Sequence, residues 1–185
     1  MSGHSHWATI KHQKASNDAK KGQLFTKLSR VITYAAREKG GDPAFNPTLA
    51  DAIKKAKSLG VSKETMDKAI KKGTGGSEGV MFEEVTYEGY GSMGEAYLVK
   101  ALTDNKNRTV SELRHILNRF GGSLGTPGSA AYVFGNDPDH PSFTIPITDV
   151  SKAKTVLSLT EELDEHDDVQ EVYSNFEIPE ELLVE

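Results

Sequence analysis

The hydrophobic period of this 185-residue chain changes at a glycine-rich run, Gly73-Thr74-Gly75-Gly76-Ser77-Glu78-Gly79. Upstream, apolar residues recur every three to four positions, as on one face of a helix. Downstream they alternate, as on one face of a strand. A run so rich in glycine favours neither element. It therefore separates a helical domain, residues 1–72, from an α+β domain, residues 80–185, with residues 73–79 as linker. It is not a phosphate-cradling P-loop, because it follows a helix and lacks the Lys-Ser/Thr ending.

Three short amphipathic helices are expected upstream. Ser16-Asn17-Asp18 offers N-cap side chains and Gly40-Gly41 a stop. Between them Leu24, Phe25, Leu28, Val31, Ile32 and Ala35 make one stripe, with Lys27, Arg30 and Arg37 on the other side. Asn46-Pro47 starts a second helix with Leu49, Ala52, Ile53, Ala56 and Leu59 inward, ended by Gly60. Ser62 caps a third with Met66, Ala69 and Ile70 inward, ended by Gly73. Lys54, Lys55, Lys57, Lys63, Lys68, Lys71 and Lys72 lie off these stripes.

Downstream, 81–90 and 95–102 read as a hairpin turned at Gly91-Ser92-Met93-Gly94, with Phe82, Val85 and Tyr87 on one face. Thr109 opens a helix with Val110, Leu113, Leu117 and Phe120 inward. Residues 130–134 and 143–147 read as strands, the second kept to an edge by Pro146. Asp149 opens a helix carrying Val150, Ala153, Val156 and Leu157 inward, and 169–178 closes with a strand. The fold class expected is α+β: an N-terminal three-helix domain, then a mostly antiparallel sheet with two helices on one face.

Charge is divided along the same line. Through Lys72 there are 15 Lys+Arg and 6 Asp+Glu; from Gly73 onward there are 7 and 21. Such asymmetry points to a polyanionic partner for the basic part. The opening run, Met1 to Lys14, adds His4, His6, Trp7, Lys11, His12 and Lys14. Lysines approach phosphate, and Trp or His can stack on an exposed base. Trp7 equally suits packing on its own helices. The expected nucleic-acid contacts are therefore His4, His6, Trp7, Lys11, His12, Lys14, Lys20, Lys21, Lys27, Arg30 and Arg37. Arginine, the usual reader of guanine, is limited in this set to Arg30 and Arg37, so weak base readout is expected. Tyr34 is a minor stacking candidate.

Cysteine is absent, which excludes disulfides, thiolate metal sites and a cysteine nucleophile. No apolar run approaches the roughly 20 residues of a membrane span, and the N-terminus lacks a signal-peptide core. A cytoplasmic protein without membrane, small-molecule substrate or cofactor is expected.

Several long motifs occur in one order: Gly3-His4-Ser5-x-Trp7-Ala8-x-Ile10-Lys11-His12, Asp18-Ala19-Lys20-Lys21-Gly22, Phe25-Thr26-Lys27-Leu28 and Ala69-Ile70-Lys71-Lys72-Gly73-Thr74-Gly75. Tyr87-Glu88-Gly89-Tyr90-Gly91, Asn107-Arg108-Thr109-Val110-Ser111-Glu112 and Gly121-Gly122-Ser123-Leu124-Gly125 follow. Together these resemble the YebC family, which includes mitochondrial translational activators. The resemblance implies a helical N-terminal domain plus α+β lobes, a cytoplasmic location and nucleic-acid binding. Bacterial members are generally described as transcriptional regulators; the mitochondrial branch fits a ribosome-linked role. Family members usually carry an additional small α+β domain near 135–142, where this chain has only Gly135 to Pro141.

Other chemistry is weighed against this. Asn107, Arg108 and Thr109, at a strand end leading into a helix, form a secondary anion-site candidate. The glycine-rich stretch 121–129 either brings backbone close to a ligand or is a turn. Ser2-Gly3-His4 with a free amine would suit square-planar Cu(II), but no metal site is assigned. Residues 161–185 hold 11 acids and no Lys or Arg, so this stretch could compete with nucleic acid for the basic domain. Asp167-Asp168 and Glu83-Glu84 are adjacent pairs that point to opposite strand faces, and no nucleophile elbow is present, so no enzyme is expected. The leading expectation is a DNA-binding transcriptional regulator. The alternatives are a translational activator bound to ribosomal or messenger RNA or to the ribosome, and a protein-interaction adaptor.

Overall fold

The computed structural model describes residues 18–75 and 81–182, without the side chains of 18–21 and 180. These residues form two compact units, one built on three helices and one on a sheet.

The helical unit comprises α1 (Asp18–Lys39), α2 (Pro47–Ser58) and α3 (Lys63–Thr74). Its joints are made by side chains that the sequence offers as caps. The fully buried Asn46 accepts the Leu49 N–H at 3.0 Å, which opens α2. Its amide donates to the carbonyls of Ala35 (2.7 Å) and Gly40 (2.8 Å), which closes α1. One side chain thus satisfies orphan groups at two helix ends. Gly60, at φ +82°, turns α2 off, and Ser62 accepts the Thr65 N–H at 3.2 Å to start α3. Leu28, Ile32, Ala35, Leu49, Ala56 and Met66 fill the core.

Gly73 does not end α3, which runs on to Thr74. A Cβ on Gly73 would lie 2.3 Å from the Thr33 carbonyl and 2.9 Å from the Ala36 Cβ. The glycine therefore sets a close approach of α3 to α1. Thr33 reinforces it, with its hydroxyl 3.2 Å from the Ala69 carbonyl.

The second unit is built on β1 (Glu83–Tyr90), β2 (Ala96–Thr103), α4 (Lys106–Arg119), β3 (Ser123–Leu124), α5 (Ala131–Phe134), β4 (Ile145–Pro146), α6 (Val150–Glu165), β5 (Val169–Ser174) and β6 (Phe176–Glu177), although Glu83 and Leu102–Thr103, at the ends of β1 and β2, cluster with the helical unit. The main sheet runs β3-β1-β2-β5, and a two-stranded parallel pair joins β4 to β6. β2 pairs antiparallel with β5, Val99 opposite Val172 and Leu98 opposite Tyr173. β2 is buried on both faces. Tyr97 and Val99 meet Leu113, Leu117, Leu159 and Leu163 of α4 and α6, while Ala96 and Leu98 meet Val133 and Phe134 of α5.

Several expectations are corrected here. Residues 130–134 form a helical turn instead of a strand. The segment has two alanines and no polar–apolar alternation, and it covers the second face of β2. Helices therefore lie on both faces of the sheet. The expected strand 169–178 breaks at the fully buried Asn175, which accepts the Ala96 N–H at 2.8 Å and lets the chain change sheets. The expected strand 143–147 shortens to Ile145–Pro146, Phe82 precedes β1, and Val150 is exposed at the first turn of α6. As the expected helix and strand imply, the acidic stretch after residue 161 supplies Leu163, Val169 and Val172 to the core.

Gly73→Ala forces a methyl group against the α1 backbone. We expect a loss of about 2–3 kcal/mol, in the range of overpacking, read as a lower urea midpoint with an unchanged m-value.

Candidate nucleic-acid interface

The apolar stripes of α1–α3 turn inward, and most of the intervening cations face outward. Arg37, Lys39, Lys54, Lys55, Lys57, Lys63, Lys68, Lys71 and Lys72 are all exposed. Lys68 pairs with Glu64 one turn earlier, at 2.7 Å. Arg37 and Lys39 occupy the last turn of α1, where the helix dipole favours cations.

Two cations converge on one ring. The Arg30 guanidinium carbon lies 5.8 Å and the Lys72 ammonium 6.0 Å from the centre of Phe82. Both distances are within reach of the ring's electron-rich face. Arg30 is half-buried. Lys27 is only 8 % exposed, against the expectation of an outer face. α1 packs on both α2 and α3. Tyr34 is half-buried. His4, His6, Trp7, Lys11, His12 and Lys14 lie outside the described residues, as do the side chains of Lys20 and Lys21. The Cu(II) arrangement at Ser2-Gly3-His4 lies outside them too.

The secondary anion site already holds an anion, and it belongs to the chain. α4 begins at Lys106, capped by Asn105, which accepts the Arg108 N–H at 3.1 Å. Arg108 reaches Asp168 at 2.7 Å, and the fully buried Thr109 donates its hydroxyl to the same carboxylate oxygen at 2.6 Å. Asn107 is exposed beside them. A phosphate binding here would have to displace a carboxylate that is 2 % exposed. His166 completes the cluster. Its Nδ1 accepts the Asp168 N–H at 3.1 Å, and its Nε2 stands 2.9 Å from Glu112. Glu112, His166 and Asp168 bring their ligand atoms within 4.8 Å of one another. Both imidazole nitrogens are engaged within the cluster. Sequence reasoning missed Asp168 because its partner lies 60 residues away.

The stretch 121–129 is held as structure. Glu88 accepts backbone N–H groups of Gly128 (2.7 Å), Ala130 (2.6 Å) and Ala131 (2.8 Å). Burial works to raise the Glu88 carboxyl, but the three donors outweigh it and hold the group below its usual range. Glu95, fully buried, shows the opposite balance. Burial raises it above the usual range even though it accepts the Met93 N–H at 2.9 Å.

The molecule is thus a two-unit α+β protein whose helical unit carries a cationic exterior. The chain belongs to the TACO1/YebC family. Residues 5–76 match the family's N-terminal domain, and residues 82–137 match the description "second and third domain". It is 38% identical to a protein of Halothermothrix orenii over 249 positions, covering 100% of this chain and 98% of that one. It is 40% identical to one of Rubrobacter xylanophilus over 248 positions, covering 100% and 99%. Each relative is called a "Probable transcriptional regulatory protein". Among solved structures, a conserved hypothetical protein of Aquifex aeolicus shares 37% identity, with a TM-score of 0.87 over 97% of this chain and 100% of that one. Homologues so named support a regulatory role.

Two outcomes test the reading of the α+β unit. Asp168→Ala removes the buried carboxylate oxygen that Arg108 and Thr109 share and should cost about 1–3 kcal/mol in denaturant unfolding, because Arg108 is half-exposed and Thr109 keeps the Asn105 carbonyl. Glu88→Gln should lower the unfolding midpoint at neutral pH, because it weakens the hold on three backbone donors. Glu88 has its carboxyl depressed by folding, so its stabilisation is present above the unfolded carboxylate pKa. It fades as pH falls through the folded value, and the gap between Glu88→Gln and the parent should close there.

Proposed function

We propose that this chain is a non-enzymatic regulator that binds nucleic acid, with DNA as its target. The basic helical domain, residues 1–72, is the binding element, and the α+β domain, residues 80–185, serves as scaffold or partner surface. The observation that carries the reading is the outward display of lysine and arginine on all three helices while their apolar stripes face inward. The names of the relatives agree with it. The phosphate contacts proposed are Lys11, Lys14, Lys20, Lys21, Arg30 and Arg37, with His4, His6, Trp7 and His12 beside them. Lys27, being largely buried, contributes less than the others. A regulator of this kind works in the cytoplasm.

Phosphate contacts position a protein on its target but carry little sequence information. The scarcity of arginine among these residues favours a second reading, in which the target is structured RNA and the role translational.

The alignments with the relatives run over up to 249 positions, against 185 residues here. We infer that the extra positions of the relatives fall near 135–142. There the Ser142 N–H bonds the Val133 carbonyl at 2.7 Å, so the two ends of the loop lie close enough for a compact domain to be lost between them.

Neutralising Lys11, Lys14, Lys20 and Lys21 together tests the main reading. About five phosphate contacts on duplex DNA give a log–log salt slope near −4.5, and removing any one of these cations from its phosphate should flatten the slope by about 0.9. Unchanged affinity of the variant for both duplex DNA and ribosomal RNA at low salt overturns the reading. Retained DNA binding with abolished RNA binding would assign the site to RNA.

A further inference from the structure

The helical unit has a second feature that phosphate binding does not use. α2, α3 and the loop at Gly41–Pro43 border an open groove of about 730 Å³. Its floor is aliphatic. Ile53 of α2 and Ile70 of α3, both expected inward from their stripes, remain half-exposed there beside Met66. Its rim is cationic, with exposed Lys57, Lys63 and Lys71 against one acid, Asp67. Phe45, on the same loop as Pro43, is 84 % exposed.

The floor decides between possible anions. Aliphatic side chains offer base edges no hydrogen-bond partner and bases no aromatic face to stack on, so a nucleic acid would gain nothing from the groove beyond its phosphates. A helix with apolar residues at i, i+4 and i+7 would lay them along the floor between the half-exposed Ile53 and Ile70. Acidic residues flanking that stripe would then meet the lysines, which select an acidic partner and set its register. We propose that the groove between α2 and α3 docks an acidic amphipathic helix of a partner protein. This docking does not depend on the nucleic-acid reading.

The test uses the full chain and a fluorescein-labelled helical peptide of about four turns, with leucines at i, i+4 and i+7 and glutamates elsewhere. A second peptide replaces the glutamates with lysines. In fluorescence anisotropy at physiological salt, the acidic peptide should bind saturably and the basic one should not. Lys57→Glu with Lys63→Glu, both surface changes that leave the core intact, should weaken the acidic peptide about tenfold. Ile70→Ser should weaken it as well, with circular dichroism confirming the fold. Lys54→Glu, outside the groove, should leave it unchanged. Absence of saturable binding overturns the proposal, as does binding indifferent to the Lys57/Lys63 pair. If instead those variants abolish binding of a labelled oligothymidylate while peptide binding stays indifferent, the groove belongs to a nucleic-acid surface and the proposal fails.

Discussion

The helical unit depends on the contact of α1 with α3 at Gly73. There the α3 backbone comes so near the Thr33 carbonyl that no Cβ fits. Ala36 and Thr33 of α1 face Gly73 there, and the Thr33 hydroxyl bonds the Ala69 carbonyl of α3. Asn46 then fixes where α1 stops and α2 starts, by bonding the end of one and the beginning of the other. Once those two joints are set, the faces left outward are the ones that carry the lysines. The cationic exterior is therefore a consequence of how three helices bury their small and apolar residues.

The α+β unit handles its own charges differently. Three of its acids are drawn into hydrogen bonds within the fold. Glu88 clasps three backbone donors, Asp168 takes Arg108 and Thr109, and Glu112 takes His166. Arg108 and Thr109, which read as candidate anion-binding residues in the sequence, are here partners of Asp168. A carboxylate that accepts several donors is stabilised in its charged form, and Glu88 holds the start of α5 in this way.

Much of the architecture was legible in the residues. Asn46-Pro47, Ser62 and Asp149 marked helix starts, and each side chain caps its helix as its chemistry requires. The hairpin turning at residues 91–94 followed from period and glycine. The misses share one cause. Residues 130–134 and the break at Asn175 were decided by what β2 needed on its second face and by a bond to Ala96, 79 residues away. Lys27, expected on an outer face, is buried.

By itself the sequence determined the α+β class, the charge division and the helix caps, because these arise from neighbours a few positions apart and from composition. Only tertiary structure decided that Arg108 faces Asp168 and that Gly73 is a packing residue instead of a stop. Only tertiary structure left Ile53 and Ile70 half-open between α2 and α3. Those outcomes rest on contacts between distant segments, whose geometry no local pattern encodes.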